Sequence, residues 1–208
     1  MTESDIKGNW YYFQSLANQL QQTEQFVDHC LNEKNEIQNG STFSNEFAKI
    51  LMLAASEFEV ILRSICKESK LSIKKNDNIV KISKKLLSAY PNIVQTLIST
   101  PYMAYKPLNE WKVISISKKG KLDEKVEGIP WWNEYNGIKH NRINNFTSAN
   151  LKNCVNAMAS LMVLELYLSQ VVLENIDSIR SIGCRYFDCP YGPSALLVNP
   201  GKRLPDFE

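Results

Sequence analysis

The residues best suited to chemistry lie between Trp131 and Arg142, in the run Trp-Trp-Asn-Glu-Tyr-Asn-Gly-Ile-Lys-His-Asn-Arg. Read as a helix, Trp132, Asn136 and His140 recur at i, i+4 and i+8 and share one face, with Tyr135 and Lys139 beside it. Arg142 follows in a bend. The segment gathers an imidazole, two cations and the carboxamides of Asn136 and Asn141. Imidazole carries a proton in either direction near neutral pH, and a guanidinium grips a phosphate through two parallel hydrogen bonds. These are the parts of metal-independent RNA cleavage: an acid or base for the 2′-hydroxyl or the leaving oxygen, and cations for the phosphorane charge. On this reading His140 is the acid or base, Arg142 and Lys139 hold the phosphate, and Asn136 and Asn141 orient the RNA. A structural reading competes with it. There His140 donates to a backbone carbonyl and locks the bend, Arg142 pairs with a carboxylate, and Trp131, Trp132 and Tyr135 anchor the core.

Helices must position this block. Ile6, Trp10, Phe13, Leu16, Ala17, Leu20, Val27 and Leu31 recur at steps of three and four, which predicts a helix over 4–34 capped by Ser4 or Asp5. Phe43, Phe47, Ile50, Leu51, Ala54, Phe58, Ile61, Leu62 and Ile65 predict a second over 41–70, with Ser41 or Thr42 at its start. Glu59 and Arg63 stand four apart on it; they are read as a surface ion pair or as support for the active region. A third helix is expected over 77–89, stopped or restarted by Pro91. Lys70, Lys74, Lys75, Lys81, Lys84 and Lys85 give this part a basic cast, either a solvated face or a phosphate-binding one.

Pro101, Pro107 and Pro130 bracket a different stretch. Trp111 to Ile116 alternates as a strand does, and Lys118-Lys119-Gly120-Lys121 reads as a turn, so a small hairpin is expected. Pro130 then suits the first position of a short helix running to His140. Asn141 to Phe146 form a bend, and Thr147 or Ser148 caps a long helix through Asn175. That helix is apolar nearly all round, which belongs at the centre of a bundle or at an oligomer interface. Ser160, Glu165, Ser169 and Gln170 interrupt it, so it reads as a buried helix rather than a membrane span. Tyr186, Phe187, Tyr191, Leu196 and Leu197 are available to pin a Gly/Pro-rich tail onto the body.

The totals bound the rest. With 208 residues the chain fits one domain,. A formal charge of +2 is too small to mark a nucleic-acid binder, so attraction must come from local patches,. Five cysteines, an odd number set mostly in apolar segments, fit reduced thiols better than a disulfide framework,. With only His29 and His140 to join Cys184 and Cys189, no metal set is recognisable and no cofactor is expected. The amino-terminal residues lack a signal-peptide core, and a cytoplasmic protein without membrane attachment is expected. Neither a Gly-rich phosphate loop nor a G-x-S-x-G elbow occurs.

The block Trp132 to Arg142, with Phe146, Ala149-Asn150-Leu151 and the apolar run Val155 to Leu168, resembles a group of prokaryotic HEPN-type helical proteins. They share Trp, Tyr-Asn, Lys-His and Arg at like spacing ahead of a final hydrophobic helix. Ala55-Ser56-Glu57-Phe58-Glu59 and Arg63 are similar to their second helix, and the likeness spans residues 41–173. It implies an up-and-down bundle that forms a homodimer, its two copies facing across a cleft. It also implies RNA as ligand, ribonuclease action in toxin–antitoxin or anti-phage defence, and an antitoxin or other defence-system partner protein. Other members bind nucleotides or RNA without cutting. The family's cleaving members carry an Arg ahead of the His; here positions 133–135 are Asn133, Glu134 and Tyr135, and the nearby Arg142 follows instead. Either Arg142 supplies the cation from the other side, or the block is a binding or scaffolding surface.

The expected fold is therefore all-α, an up-and-down bundle in one domain over 1–208. Its core would be 4–99 and 130–175, with a hairpin insertion at 100–129 before the last two helices and a strap over 176–208. The alternative function is a non-catalytic helical module for dimerisation or partner binding.

Overall fold

A computed structural model describes residues 1–118, 121–174, 179 and 182–189. Helix α1 spans Glu3–Gln22 and turns Ile6, Trp10, Phe13, Leu16, Ala17 and Leu20 inward. Thr2, not Ser4 or Asp5, is its cap, in a reciprocal pair with Asp5 that satisfies two otherwise orphaned amides,. The helix ends well short of residue 34. The Thr23 hydroxyl donates to Leu20 O at 2.7 Å, and further on Asn32 Oδ1 accepts from the amides of Lys34 and Glu36. Short polar side chains that bond the nearby backbone compete with a helical ladder in this way.

Helix α2 (Asn45–Glu68) is capped by Ser44, whose hydroxyl accepts from Phe47 N at 3.0 Å. Residues 40–43 cannot join it because Gly40 O and Thr42 O accept from Lys152 N and Leu151 N. Helix α3 (Ile79–Ala89) starts from an Asn78 cap, and the chain passes through a short 3-10 turn after Pro91.

The expected all-α bundle is overturned here. Among the described residues two antiparallel two-stranded sheets accompany six helices, which makes the fold mixed. Strands β1 (Ile98–Ser99) and β2 (Ala104–Tyr105) form the smaller sheet. Strands β3 (Lys112–Lys118) and β4 (Lys121–Glu127) form the larger, with Lys112 opposite Glu127 and Val113 opposite Val126. A lone ribbon is marginal in water. This one leans on α3, where Lys84 Nζ meets Glu124 Oε1 at 2.5 Å, and is built into the body. The smaller sheet had no sequence signal. Its Ser99 exchanges two backbone hydrogen bonds with Asp188 at 2.8 and 2.9 Å, which ties 182–189 to the body.

Helix α4 (Pro130–His140), a one-turn α5 (Arg142–Asn145) and a 3-10 turn over Phe146–Ser148 lead into α6 (Leu151–Leu173). Asn150, not Thr147 or Ser148, caps α6. Its length and apolar composition would suffice to cross a membrane, yet most of it is buried, packed against α1, α2, α4 and β1. It is the central core helix.

His29 and Glu165 are titratable groups in the interior. His29 is buried, its Nδ1 at 2.6 Å from Tyr186 Oη and its Nε2 at 3.0 Å from Thr23 Oγ1. Burial holds its pKa below the usual histidine range,. Glu165 is buried in α6, and neither carboxyl oxygen has a hydrogen-bond partner among the described residues. Desolvation first, and the charge of Glu57 second, raise its pKa well above the ordinary carboxyl value,. Tyr186 and Phe187 of the expected strap are buried; Tyr191, Leu196 and Leu197 lie outside the described residues.

Candidate functional site

Helix α4 runs antiparallel to α2. Its first turn packs Trp131 and Trp132 on Phe58, with ring centroids 5.0 and 6.0 Å away, while Arg142 just past its end reaches Asn45 in the first turn of α2. Trp131 Nε1 donates to Ser160 Oγ at 3.1 Å, which fixes the buried face of α4 against α6. With that face set, Asn133, Asn136 and His140 must line the other side, since i, i+3 and i+7 lie within about 60° of one another around a helix.

His140 ends α4. It is exposed and makes no hydrogen bond or ion pair among the described residues. Arg142 is exposed as well, but it is oriented. Its Nη2 donates to Asn45 Oδ1 at 2.5 Å, and its guanidinium carbon sits 5.2 Å from the Phe146 ring centroid,. Lys139 is exposed, with Nζ 5.4 Å from the Tyr135 ring centroid. The Asn141 side chain caps α5 by accepting from Asn144 N at 3.3 Å. The half-buried Asn136 returns its Nδ2 to Trp132 O at 2.9 Å, which leaves the acceptor capacity of its carboxamide oxygen unused by that bond.

Sequence reasoning missed the groups that hold this bend. Asn145 Nδ2 donates to Gly137 O at 3.2 Å and to Asn141 O at 2.8 Å, so it clamps the end of α4. Glu134 accepts a hydrogen bond from Ser148 Oγ and joins α4 to the turn before α6. Asn45 is far from Arg142 in sequence, and nothing in the local pattern marked it.

Asn133 and Asn136 also line an open cleft of about 920 Å³ between α4, the start of α3 and the base of the hairpin. The buried Trp111 and Trp132 border it, and Glu110, Lys112, Lys125 and Glu127 are its charged residues. Trp111 Nε1 is buried without a hydrogen-bond partner among the described residues. Gly128 closes the hairpin base at φ +81°, where a Cβ would fall 1.8 Å from Glu110 O, so only glycine fits,.

Glu59 and Arg63 are not part of this bend. At about 1.5 Å per residue they lie ~21 and ~27 Å along α2 from Asn45, the contact of Arg142. Arg63 donates to Glu59 Oε1 at 3.0 and 2.7 Å and to Asp77 O at 2.7 Å, so the pair anchors the loop ahead of α3. Among the described residues no three His, Cys, Asp or Glu side chains gather as metal ligands.

Compared with known proteins, the chain matches no family model, no curated protein and no solved structure. The function is therefore argued from the site.

Proposed function

We propose that this chain is a HEPN-like, RNA-associated protein of the prokaryotic cytoplasm, and a metal-independent endoribonuclease of toxin or anti-phage defence. The observation that carries the reading is the bend itself: His140 and Arg142 are both exposed, two residues apart, and the imidazole is uncommitted.

In the proposed reaction a base takes the proton of a ribose 2′-hydroxyl, and the oxygen attacks the adjacent phosphorus. The P–O5′ bond breaks, the 5′-oxygen leaves with a proton from an acid, and a 2′,3′-cyclic phosphate remains. His140 performs one of these two proton transfers. Arg142, aimed by Asn45 and Phe146, balances the charge that builds on the phosphorane oxygens, with Lys139 nearby. Asn136 and Asn141 flank the strand. A second copy of the chain supplies the other imidazole. The exposed Ile143 and Phe43, at 92% and 46% of full accessibility, offer apolar surface beside the bend for such a homodimer,.

One observation favours the non-catalytic reading: Arg142 already has a hydrogen bond to Asn45 and a ring beneath it, as a structural arginine would. The two readings part in a cleavage assay. Purified protein is incubated with a panel of unstructured and hairpin RNAs in the presence of a chelator, beside His140→Ala and Arg142→Ala. Cleavage that leaves cyclic phosphate ends and falls by about 10²–10⁴-fold in His140→Ala is expected. No cleavage by the native chain, or equal cleavage by His140→Ala, removes the nuclease and leaves the dimerisation or partner-binding module.

A further inference from the structure

Helix α2 ends in a six-residue reverse turn. Leu71 N–H donates to Cys66 O at 2.8 Å and Lys70 N–H to Lys67 O at 3.0 Å, with Lys70 between them at φ +57°. Glycine is the usual occupant of that left-handed position because a Cβ crowds the backbone there. A lysine in its place keeps a cation where local sterics disfavour any side chain.

The chain then folds back and is held. Arg63 binds Asp77 O, Asp77 Oδ2 accepts from Lys74 N at 2.9 Å, and Lys85 Nζ donates to Ser72 O. Between the helix end and this loop lies an open groove of about 660 Å³. Arg63, Lys67, Lys70, Lys74 and Lys75 line it, and no acidic side chain does. Glu59 offsets the charge of Arg63, so the free cations of the groove are its four lysines, while Asp77 is engaged with Lys81 and Lys85. The four lysines are exposed, and none has an ion pair among the described residues. Like charges gathered on a braced loop repel one another until a polyanion fills the space between them.

The groove also has a neighbour. Lys74 and Lys75 line it, while Ile79 and Val80, just past the Asn78 cap, line the tryptophan cleft whose α4 wall continues to His140. Trp111 and Trp132 are buried beside that cleft, so a strand would be held by its phosphates on the lysines rather than by stacked bases,. A concave groove accepts a strand and not a flat lipid face.

We infer that the Lys67–Lys75 groove binds the phosphate backbone of single-stranded RNA. The inference rests on the RNA reading above but concerns binding rather than cleavage.

The test uses the full chain, a labelled oligouridylate and fluorescence anisotropy over a salt series. Lys67→Gln, Lys70→Gly, Lys74→Gln and Lys75→Gln combined should weaken binding by about 10–100-fold at low salt, and should flatten the slope of log Kd against log salt by roughly 0.7 for each phosphate no longer neutralised. Lys70→Gly alone guards against misfolding: it should raise the Tm, because glycine suits the turn, and still weaken binding. Unchanged affinity and slope in both variants overturns the groove, as does capture of phosphatidylserine vesicles with no binding of RNA. His140-dependent cleavage with lysine-independent binding would sink the groove alone. Lysine-dependent binding without His140-dependent cleavage would sink only the nuclease.

Discussion

Asn145 Nδ2 reaches across the α4–α5 bend to Gly137 O at 3.2 Å, and the same approach leaves a side chain at Gly137 only 3.2 Å from Asn145 Cγ. The carboxamide thus occupies the space that a methyl group would need. The turn that presents His140 and Arg142 depends on a glycine within a helix, where glycine is otherwise unfavourable.

Two variants test this clamp. Gly137→Ala gains about 1 kcal/mol of helix propensity but displaces Asn145, whose two hydrogen bonds are each worth about 0.5–1.5 kcal/mol. A net loss of about 0–2 kcal/mol is expected, smaller than that of removing the clamp outright. Asn145→Ala has no compensating gain and should lose about 1–3 kcal/mol. Urea unfolding measures both. A stabilised Gly137→Ala together with a neutral Asn145→Ala would mean that the bend is held by something else.

Arg63 and Glu59 should behave unequally although they form one ion pair. Glu59→Ala removes a half-exposed partner and should change stability by about 0.5 kcal/mol or less. Arg63→Ala also frees the carbonyl of Asp77 and the loop behind it, and should cost about 1.5–3 kcal/mol, the range of a hydrogen bond to a charged group,. Arg63→Lys should not restore the loss, since an ammonium cannot fork between Glu59 and Asp77 O. Equal effects of the two alanine variants in chemical denaturation would contradict this division of labour.

Glu165 makes stability depend on pH in a defined direction. Its carboxyl is raised far above the ordinary 4.5 by desolvation and, second, by Glu57. Below that value both folded and unfolded chains hold the proton. Above it the unfolded chain releases the proton while the folded chain keeps it, so stability falls as pH rises until the buried carboxyl itself ionises. Glu165→Gln should therefore melt close to the wild type near pH 4.5, and above it at pH near 8, a value chosen as well above ordinary carboxyl ionisation. Asp77, held low by backbone and lysine contacts, and His29, held low by burial, act with the opposite sign. They are common to both proteins and cancel in the difference. Parallel melting curves across the range would show that Glu165 does not keep its proton.

Some of this molecule was legible from its pattern. The apolar stripe from Ile6 to Leu20, the Pro130 start of α4 and the alternation behind β3 each follow from local chemistry that the structure repeats. What the pattern could not show depends on distant partners. The stop at Gln22 accompanies a turn in which His29 meets Tyr186, and the β1–β2 sheet leans on Asp188. Treating the strands as an insertion on a bundle underrates them, because the support α3 gives to β3 and β4 is a tertiary contact. At the site, the crowding of His140, Arg142 and Lys139 on one bend was readable from spacing. The role of Asn45 was not, and a place for Glu59–Arg63 beside the bend fails because the length of α2 carries the pair to the other end.

The burial of α6 on nearly every side has a consequence for motion. The amide protons of its buried middle, Ala157 to Ser169, should exchange only when the whole chain opens,. The α4–α5 bend, with exposed residues from Lys139 to Asn144, opens at far lower free energy,. The protein thus pairs its slowest-breathing element with a segment free to readjust around a visiting strand, while the scaffold beneath stays shut.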